Sequence, residues 1–564
     1  MPIVGIDLGT TNSLIAVLDE AKPSLVPNKL GQVLTPSAVS VAEDGTILVG
    51  EAAKDRLLTH PELSVASFKR MMGAAQTVKL GKSSFRPEEL SAFVLRSLKA
   101  DAEEKLGETV TEAVISVPAY FNDHQRKATI DAGRLAGLKV ERLVNEPTAA
   151  ALAYGFGEAA EGKYLVFDLG GGTFDVSILD KYEGVMEIHA TTGDTRLGGD
   201  DFTRMIEDLI ARAAKLERND LDRSDLARLL RAAEGAKLRL TSAQEADYSL
   251  SLKGKPVAGI VTRADFEVEA APLLRRLRAP TERAVRDARL EAVAFDAIVL
   301  VGGATRMPMV RSLVAKLFGM LPMININPDT TVGLGAAIQA GLHKRSAALK
   351  DTVMTDVCPY TLGVAAMIHG AKDMTERVVV PIIERNAVVP ISRSSSFSTV
   401  RDNQSILEVE VYQGENLRPE DNILIGSVEA PVPQSKAGKE SVTVRFTYDI
   451  NGALQVEVTT DSTGKQQSRI FRNALGLSEE ELATRFKALS ELKLHPRDQI
   501  ENKTLLARAD RLYAECLGNE RDHVRAMILQ FEQAIADQRV RDMSEVRGDF
   551  SKALDRLERT TLGS

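Results

Sequence analysis

The first part of the chain alternates between two hydrophobic spacings. Residues 164–167 form an apolar run, and residues 174–178 place an apolar side chain at every second position. A period of two is typical of a β-strand, so these segments predict two strands joined by the glycine-rich stretch between them. Residues 114–118 predict a further buried strand, after which Asn122 or Asp123 caps a predicted helix that ends at Gly137. This succession of strands and helices predicts an α/β architecture.

The hydrophobic spacing changes after about Leu349. Residues 407–411, 442–448 and 454–458 alternate apolar with polar side chains, and a turn is predicted at residues 451–452. Alternation of this kind predicts antiparallel strands with one buried face. A β-sandwich or a partly open barrel is therefore expected in this region.

A helical period begins at Leu477 and continues to the end of the sequence. Ser478 and Glu481 have the spacing of a capping box at the start of this region. The proline at residues 495–496 is expected to break the first helix, and Gly518 with Asn519 is expected to end the next. The C-terminal part is therefore predicted to consist of several amphipathic helices.

A strand followed by a glycine-rich turn occurs three times, at residues 7–12, 168–173 and 302–306. Glycine tolerates positive φ and lets a ligand approach the bare backbone, and successive backbone N–H groups in such a turn can bind an anion. Each turn by itself is also compatible with an ordinary glycine-rich connection. Three in one α/β region predict nucleotide binding.

Carboxylates flank the first two turns: Asp7 precedes one, and Asp168 and Asp175 bracket the other. Carboxylates repel a phosphate unless a hard cation lies between them, and Mg²⁺ combines oxygen ligands with retained water. These three aspartates are therefore predicted to hold Mg²⁺ through water. The candidates to position a water molecule or relay a proton are Lys69, Glu146 and Thr173.

Several charged residues and one proline in the first part of the chain have an ordinary structural interpretation. Residues 226–240 predict a helix with several basic side chains, whose default interpretation is a solvated face. Residues 264–278 predict a second helix, with a kink or a break at Pro272. Lys69 lies in the largely apolar segment at residues 67–73, directly before Arg70, and a lysine in such a position is usually a solvated charge.

Composition limits the possible partners and compartments. The 564 residues predict several domains, and a formal net charge of −8 disfavours nonspecific binding to nucleic acids or anionic membranes. Two cysteines provide no disulfide framework and fit a reducing compartment. The N-terminal residues already predict a strand rather than a signal peptide, so a cytoplasmic protein is expected.

Five motifs resemble those of the DnaK-type 70-kDa heat-shock chaperones. They are GIDLGTTNS (residues 5–13), VPAYFND (117–123), NEPTAAALAYG (145–155), FDLGGGTFD (167–175) and NPD (327–329). The resemblance covers nearly the whole chain, and the shortened form looks most like the HscC-type bacterial branch. It implies an ATP-dependent chaperone with a multidomain α/β, β and α organisation.

The resemblance also implies domain boundaries. An actin-like, two-lobed ATPase domain is expected at residues 1–346 and a linker at 347–356. A β-sandwich that binds extended apolar segments of unfolded proteins is expected at 357–476, and a short helical lid at 477–564. A J-domain cochaperone is implied as the partner that stimulates hydrolysis.

Residue roles follow from the matched motifs. The resemblance assigns catalysis to Lys69, Glu146, Thr173 and Asp175, and the organisation of Mg²⁺ to Asp7, Asp168 and Asp175. It assigns ATP or ADP contact to Gly9, Thr10, Thr11, Asn12, Gly170, Gly171, Gly172, Gly198, Gly199, Glu234, Lys237, Thr241, Gly302, Gly303, Ala304, Arg306 and Asp329. It assigns the peptide cleft to Val364, Met367, Phe397, Val400, Leu407 and Val409, for which sandwich core is the ordinary alternative. It assigns communication between the domains to Pro118, Arg126, Arg142 and Asp356.

The sequence departs from the family pattern at three places. The linker contains Thr352 and Thr355 at positions that are apolar in the family, and each lost leucine removes ~1–2 kcal/mol of apolar docking. Weaker coupling between the domains is therefore expected. Ala304 replaces a hydroxyl or amide residue, and residues 235–272 are shorter than usual, which puts the usual contact with an exchange factor in doubt.

Three other functions remain possible at this point. An actin-like filament protein has the same ATPase fold but no use for the β-rich segment. A kinase of small molecules needs a small-molecule acceptor, whereas the stretch from Asp168 to Asp175 together with Lys69 favours water. A nucleotide-binding relative that no longer hydrolyses ATP is disfavoured by the presence of Lys69, Glu146, Thr173 and Asp175.

Overall fold

The structure is a computed structural model, described here for residues 2–19, 22–155, 161–182, 185–289, 295–323, 327–344, 353–369, 375–449, 452–471, 500–516, 518–536 and 543–561. The chain divides into two compact units, Met1–Pro359 and Tyr360–Ser564. The predicted capping box at Ser478 and Glu481 and the predicted break at residues 495–496 lie outside the described residues. No described helix combines the length and apolar character that crossing a bilayer requires.

The first unit mixes strands and helices along its whole length, as the spacing of apolar residues predicts. Its strands are β1 (Ile3–Asp7), β2 (Asn12–Asp19), β3 (Lys22–Leu25), β4 (Thr35–Pro36), β5 (Ala38–Val41), β6 (Ile47–Val49), β7 (Ser64–Ala66), β8 (Val78–Leu80), β9 (Ser83–Phe85), β10 (Glu112–Val117), β11 (Lys139–Asn145), β12 (Gly162–Leu169), β13 (Phe174–Tyr182), β14 (Val185–Asp194), β15 (Glu245–Leu252), β16 (Lys255–Thr262), β17 (Ala297–Val301), β18 (Val353–Met354) and β19 (Asp356–Val357). Its α-helices are α1 (Glu51–Thr59), α2 (Pro87–Leu106), α3 (Asp123–Leu135), α4 (Glu146–Gly155), α5 (Gly199–Ala213), α6 (Arg223–Arg239), α7 (Arg263–Asp287), α8 (Pro308–Phe318) and α9 (Thr331–His343).

Two sheets of similar design organise the first unit into two lobes. The first sheet has the order β11-β10-β1-β2-β3, and the second has the order β17-β12-β13-β14-β18. In both, a central strand pairs in parallel on one side (β1 with β10, β12 with β17) and forms an antiparallel hairpin on the other (β1 with β2, β12 with β13). Because each hairpin turn follows the central strand, the two glycine-rich turns occupy equivalent places in the two lobes.

The hairpin of β12 and β13 has the register that the apolar alternation predicts. Asp168 lies opposite Asp175, and Phe167 lies opposite Val176. Phe167, Phe174 and Val176 are fully buried in a core shared with α5, α6 and α7. Asp175 and Ser177, on the other face of β13, are buried as well, so both faces of this strand are covered.

Helix α3 follows its predicted boundary signals, whereas the signals at Pro272 and Gly518 are not followed. Asn122 caps α3 by accepting from the Gln125 N–H group at 3.0 Å, and Gly137 follows the helix with φ of 74°. Of the kink or break predicted at Pro272, the break is wrong, because α7 continues from Arg263 to Asp287 with Pro272 inside it, and the kink stays a prediction. Phe266, Leu273 and Leu277 are buried on one face of α7, and this packing holds the helix through the proline.

The second unit contains a β-sandwich followed by helices. Its strands are β20 (Leu362–His369), β21 (Thr375–Ile383), β22 (Val388–Val389), β23 (Ile391–Ser398), β24 (Ile406–Gln413), β25 (Ile423–Pro431), β26 (Ser441–Tyr448), β27 (Leu454–Thr460) and β28 (Gln466–Phe471). One sheet has the order β21-β20-β24-β25 and the other the order β23-β26-β27-β28. Val442, Val444 and Phe446 are fully buried while Thr443 and Arg445 between them are more exposed, which confirms the predicted alternation there. Thr447 departs from it, because it is fully buried and its hydroxyl pairs with that of Ser392 at 3.0 Å.

Three helices follow the sandwich in the described part of the chain: α10 (Ile500–Glu515), α11 (Gly518–Ala536) and α12 (Met543–Thr561). They share a core in which the rings of Phe531 and Phe550 stack with centroids 4.1 Å apart. Gly518 begins α11, whereas the sequence predicts it at the end of the preceding helix, which finishes three residues earlier at Glu515.

Candidate functional site

The first two glycine-rich turns face one another in the first unit. A side chain at Gly171 would collide with the hydroxyl of Thr11, and a Cβ at Gly172 would lie 2.8 Å from Cγ2 of Thr10. Glycine is therefore required at both positions by close approach rather than by backbone conformation. The two turns provide facing stretches of backbone, one from each lobe.

Two further glycine segments line the same place. The N–H group of Gly199 donates to the Gly170 carbonyl at 2.9 Å, and a Cβ at Gly198 would lie 2.5 Å from the Gly171 carbonyl oxygen. Gly302 has φ of 80°, and a side chain there would strike the carbonyl of Leu169. The structure thus brings together the predicted segments at residues 9–12, 170–173, 198–199 and 302–303.

A buried ion pair lies beside these turns. Lys69 is only 3% exposed, and its Nζ donates to Oε1 of Glu146 at 2.6 Å. The default expectation of a solvated charge is therefore wrong for Lys69. A buried lysine needs a carboxylate partner, and Glu146 at the start of α4 provides it.

Three aspartates surround this pair, and each has a raised pKa. Burial, with a smaller effect of the Glu146 carboxylate, raises the pKa of Asp7 to about 7, while Lys69 and a hydrogen bond from Ser116 oppose the shift. Burial and Glu146 raise the pKa of Asp175 to about 8, against a hydrogen bond from the Tyr120 N–H group. Burial raises the pKa of Asp168 well above 3.8, and the nearby carboxylates add to it. The site therefore concentrates carboxylates around one lysine.

The predicted adenosine side is built on α6. Lys237 is buried, and its Nζ donates to the Gly199 carbonyl at 3.1 Å and to Oγ1 of Thr203 at 2.8 Å. The same hydroxyl donates to Glu234 at 2.6 Å. The default expectation of a solvated basic face is therefore wrong for Lys237, which ties the start of α5 to α6. Thr241 donates to the Leu238 carbonyl at the end of α6 instead.

The third glycine segment closes the site beside residues 327–329. Nη2 of Arg306 donates to Asp329 at 2.6 Å, and a Cβ at Gly303 would lie 2.9 Å from the Asp329 carboxylate. Ala304 lies against Gly199, with its Cβ 3.3 Å from the position of an added Cβ there. The alanine that departs from the family pattern therefore faces the glycine pair.

A chain of hydrogen bonds leads from this site to the linker. Nδ2 of Asn145 donates to Asp356 at 2.9 Å, and Arg126 donates to Oδ1 of Asn145 at 2.6 Å. Arg126 also donates to the carbonyls of Ala119 and Phe121, in the short turn that begins at the buried Pro118. The Tyr120 N–H group in that turn donates to Asp175 at 3.2 Å. Sequence reasoning missed Asn145, although it directly precedes Glu146.

The linker itself extends the second sheet. Val353 and Met354 pair in parallel with Val185 and Met186 of β14, and the Thr355 N–H group donates to the Met186 carbonyl at 3.0 Å. Burial raises the pKa of Asp356, while hydrogen bonds and the positive charges of Arg142 and Arg126 oppose that shift. The linker residues therefore belong to the first unit.

The six predicted peptide-cleft residues separate into two groups. Val364, Leu407 and Val409 are buried in the sandwich. Met367 and Val400 are 40% and 51% exposed, and Phe397 is half-buried near the end of β23. The three buried residues are as inaccessible as ordinary core residues, whereas the other three present apolar surface.

Architecture and site together define a class of protein: a two-lobed ATPase domain joined to a β-sandwich and a helical lid. The family model described as Hsp70 protein matches residues 3–80 and 74–562. The chain is also 42% identical, over 586 aligned positions, to "Chaperone protein dnaK3" of Thermosynechococcus vestitus, with 95% of this chain and 85% of that protein covered. The chain belongs to the Hsp70 family.

Family membership establishes the general activity. The protein is an ATP-dependent molecular chaperone and an ATP hydrolase, and it binds ATP or ADP and unfolded peptide segments. A filament protein, a small-molecule kinase and a relative without hydrolysis are thereby disfavoured. The narrower resemblance to the HscC-type branch stays a prediction.

Proposed function

We propose that the phosphates of ATP bind between the two facing turns, at residues 9–12 and 170–173. Backbone N–H groups of glycine-rich turns from both lobes then surround the polyphosphate. The observation that carries this proposal is the buried Lys69–Glu146 pair, which lies beside both turns among three buried aspartates. Charged groups are rarely buried together unless they serve a ligand or a reaction.

The donor set around Lys69 fits Mg²⁺. Asp7, Asp168, Asp175 and Glu146 outnumber the single cationic side chain among them, Lys69, and all four offer oxygen atoms, which Mg²⁺ and its bound water prefer. Among the described residues, no three acidic, histidine or cysteine side chains converge closely enough to ligate a metal directly. This spacing supports a cation held through its own water by Asp7, Asp168 and Asp175, where Mg²⁺ would neutralise phosphate charge.

The remaining catalytic roles follow from position. Lys69 orients the attacking water, and Glu146 holds Lys69 by the 2.6 Å hydrogen bond. Thr173, buried at the start of the hairpin's second strand, contacts the transferred phosphate. Asp175 orders water or accepts a proton as a carboxylate, the form that a bound cation would favour over the protonated form.

The adenosine lies on the opposite side of the turns in this proposal. Glu234, Lys237 and Thr241 of the α6 region contact it, and Arg306, held by Asp329, flanks the base. Gly198, Gly199 and residues 302–304 form the wall between adenosine and phosphates. The close packing of Ala304 against Gly199 supports this arrangement.

The peptide cleft is proposed at the apolar surface that Met367, Phe397 and Val400 present on the sandwich. In this proposal these three residues contact an extended segment, and the buried Val364, Leu407 and Val409 complete the cleft. Extended peptides bind such sites by backbone hydrogen bonds and side-chain pockets. The proposed domain boundaries stay at 1–346, 347–356, 357–476 and 477–564.

Coupling between the two activities is proposed to pass through the linker. The hydrogen bonds from Asp356 through Asn145 and Arg126 to the turn at Pro118, and from there to Asp175, give the linker a physical connection with the catalytic site. Arg142 adds positive charge beside Asp356. A J-domain cochaperone stimulates hydrolysis in this proposal, the need for an exchange factor stays open, and the site of action is the cytoplasm.

Single-turnover ATP hydrolysis tests the proposal. The full chain is loaded with ATP and Mg²⁺, and hydrolysis is followed with and without an unfolded apolar peptide, in parallel with residues 1–346. We expect the peptide to accelerate hydrolysis only in the full chain. Lys69→Ala is expected to slow hydrolysis by about 10²–10³-fold, and the exposed Lys79→Ala provides the matched control. An unchanged rate for Lys69→Ala would remove Lys69 from the mechanism.

A further inference from the structure

One serine binds two carbonyl groups of the first glycine-rich turn, at residues 9–12. Oγ of Ser37 donates to the Gly9 carbonyl at 2.8 Å, and the N–H group of Ser37 donates to the Thr11 carbonyl at 2.8 Å. Ser37 directly follows β4, which pairs antiparallel with the start of β2. The turn is therefore attached to this segment through the side chain and the backbone of a single residue.

These two hydrogen bonds set the direction of two N–H groups. A trans peptide unit is planar, and its C=O and N–H groups point in opposite directions. The bond to the Gly9 carbonyl therefore turns the N–H group of Thr10 away from Ser37. The bond to the Thr11 carbonyl does the same for the N–H group of Asn12. Both N–H groups belong to the turn that is proposed to bind the phosphates.

The hydroxyl of Ser37 is itself fixed by a neighbour. It lies 2.8 Å from the hydroxyl of Ser13, and both serines are buried. A hydroxyl has one hydrogen, and that of Ser37 is used on the Gly9 carbonyl, so Ser13 is the donor in this pair. Because both side chains are shielded from water, the orientation of the Ser37 hydroxyl is set before a nucleotide binds.

The second glycine-rich turn is attached to its surroundings by backbone groups. The Gly170 carbonyl accepts from the N–H group of Gly199 at 2.9 Å, and the Gly171 carbonyl accepts from that of Asp200 at 2.8 Å. In the first turn, by contrast, one of the two donors is a side chain. Substitution of Ser37 can therefore loosen the first turn while the second stays intact.

We propose that Ser37 is a positioning residue for phosphate binding, because it holds the first turn in the conformation in which its N–H groups receive the phosphates. It acts through the Gly9 carbonyl rather than by contact with the nucleotide. Donors that are fixed in advance need no reorganisation when a charge arrives, so they bind it more tightly than the donors of a mobile loop. The inference rests on the proposed phosphate site between the two turns.

The test compares the affinities of the full chain for ADP and for adenosine in the presence of Mg²⁺, by competition against fluorescently labelled ADP. Ser37→Ala removes the hydroxyl and keeps the backbone donor. We expect ADP to bind about tenfold more weakly, because hydrogen bonds to the charged phosphates are misdirected. Adenosine has no phosphate, so its affinity should be unchanged. Ser37→Thr retains a hydroxyl and should restore the affinity for ADP.

Ser64→Ala is the matched control. Ser64 is also buried, in the pairing of β5 with β7, and its Oγ lies 2.9 Å from Oγ of Ser40 and 2.9 Å from the His60 carbonyl oxygen. It thus resembles Ser37 in burial and in its two partners but does not bind the turn. This variant should keep the unmodified preference for ADP over adenosine.

The two ligands separate the role of Ser37 from the phosphate site itself. An unchanged preference for ADP in Ser37→Ala would overturn the positioning role alone. An equal loss of affinity for ADP and adenosine would also overturn it, because that result means a general loosening of the fold. An unmodified chain that binds ADP no more tightly than adenosine would overturn the phosphate site and, with it, the role of Ser37.

Discussion

At the scale of single residues, burial changes the chemistry that the sequence displays. Lys69 and Lys237 occur in segments where a solvated charge is the default expectation, yet both are buried and hydrogen-bonded. Asp7, Asp168 and Asp175 have raised pKa values chiefly because they are buried, and secondarily because they repel one another and Glu146. Aspartates at the surface would not have their pKa values raised in this way.

The raised pKa of Asp175 predicts how the stability of the metal-free chain depends on pH. Its pKa is about 8 in the folded chain against an ordinary 3.8, so between these values the folded state holds a proton that the unfolded chain has lost. The free energy of unfolding should therefore fall as pH rises from about 4 to about 8. Asp175→Asn, which can still accept from Tyr120, should make this fall shallower.

Urea unfolding followed by circular dichroism in EDTA, at a series of pH values, measures that slope. Asp44→Asn is the control, because a hydrogen bond from Thr46 lowers the pKa of Asp44 and its titration lies outside the window. The same pH slope in Asp175→Asn and in the unmodified chain would contradict the assignment. Mg²⁺ with ADP should also reduce the slope, since a cation favours the ionised carboxylates.

At the scale of elements, tertiary packing overrides local preference in one helix and follows it in another. Helix α3 begins at Asn122 and is followed by Gly137, as the capping residues indicate. Helix α7 continues through Pro272, although proline removes a backbone hydrogen bond and crowds the preceding turn. The buried face of α7 contributes more than the proline costs.

The proline in α7 leads to a prediction about stability. Pro272→Ala restores the missing N–H donor in the middle of α7, and Pro272 is exposed, so no core contact is lost. We expect the variant to be more stable by about 1–3 kcal/mol. Thermal and urea unfolding of the full chain measure the change in the first unit.

Pro256→Ala is the matched control for this prediction. Pro256 is also exposed but lies in strand β16, where its replacement gives no helical hydrogen bond and frees the unfolded chain. It should leave stability unchanged or slightly lower. A loss of stability in Pro272→Ala would mean that the proline fits α7 without cost.

At the scale of the whole molecule, the linker is the proposed route by which nucleotide and peptide affect one another. Asn145 bridges Asp356 of the linker and Arg126, which holds the turn that contacts Asp175. Thr355, next to Asp356, has a hydroxyl that is buried without a hydrogen-bond partner among the described residues. Asn145 therefore stabilises the docked linker, whereas the buried hydroxyl of Thr355 destabilises it.

Asn145→Ala should uncouple the two activities. It removes both hydrogen bonds of the bridge, so peptide should no longer accelerate single-turnover hydrolysis, while peptide binding with ADP is retained. Fluorescence anisotropy of a labelled peptide measures that binding. Retained stimulation by peptide in Asn145→Ala would show that coupling bypasses Asp356.

Thr355→Val should strengthen docking of the linker instead. Valine has nearly the same shape and removes a buried hydroxyl whose desolvation costs about 1–3 kcal/mol. The linker should then be more protected from hydrogen exchange at residues 353–356, by about tenfold or more in the presence of ATP. Equal exchange in the variant and the unmodified chain would mean that the hydroxyl is satisfied in solution.

The sequence alone determined the order of the secondary-structure elements and the candidate residues of the site. Apolar spacing and glycine-rich turns act locally, so they predicted the hairpin at residues 162–182, the α/β region, the alternating strands of the sandwich and the helices after it. The motifs also named the aspartates, Lys69 and Glu146, because these residues lie within short stretches whose pattern is visible in one chain.

Only the tertiary structure decided which distant residues meet and which charges are buried. The pairing of Ser67 and Arg70 with Asp200 and Asp201 joins positions more than 130 apart, and no local spacing reveals it. Asn145 likewise acquires its role from Asp356, 211 positions away. Spacing along the chain records secondary structure, whereas contact and desolvation depend on how the lobes close, and that is settled only when the whole unit is folded.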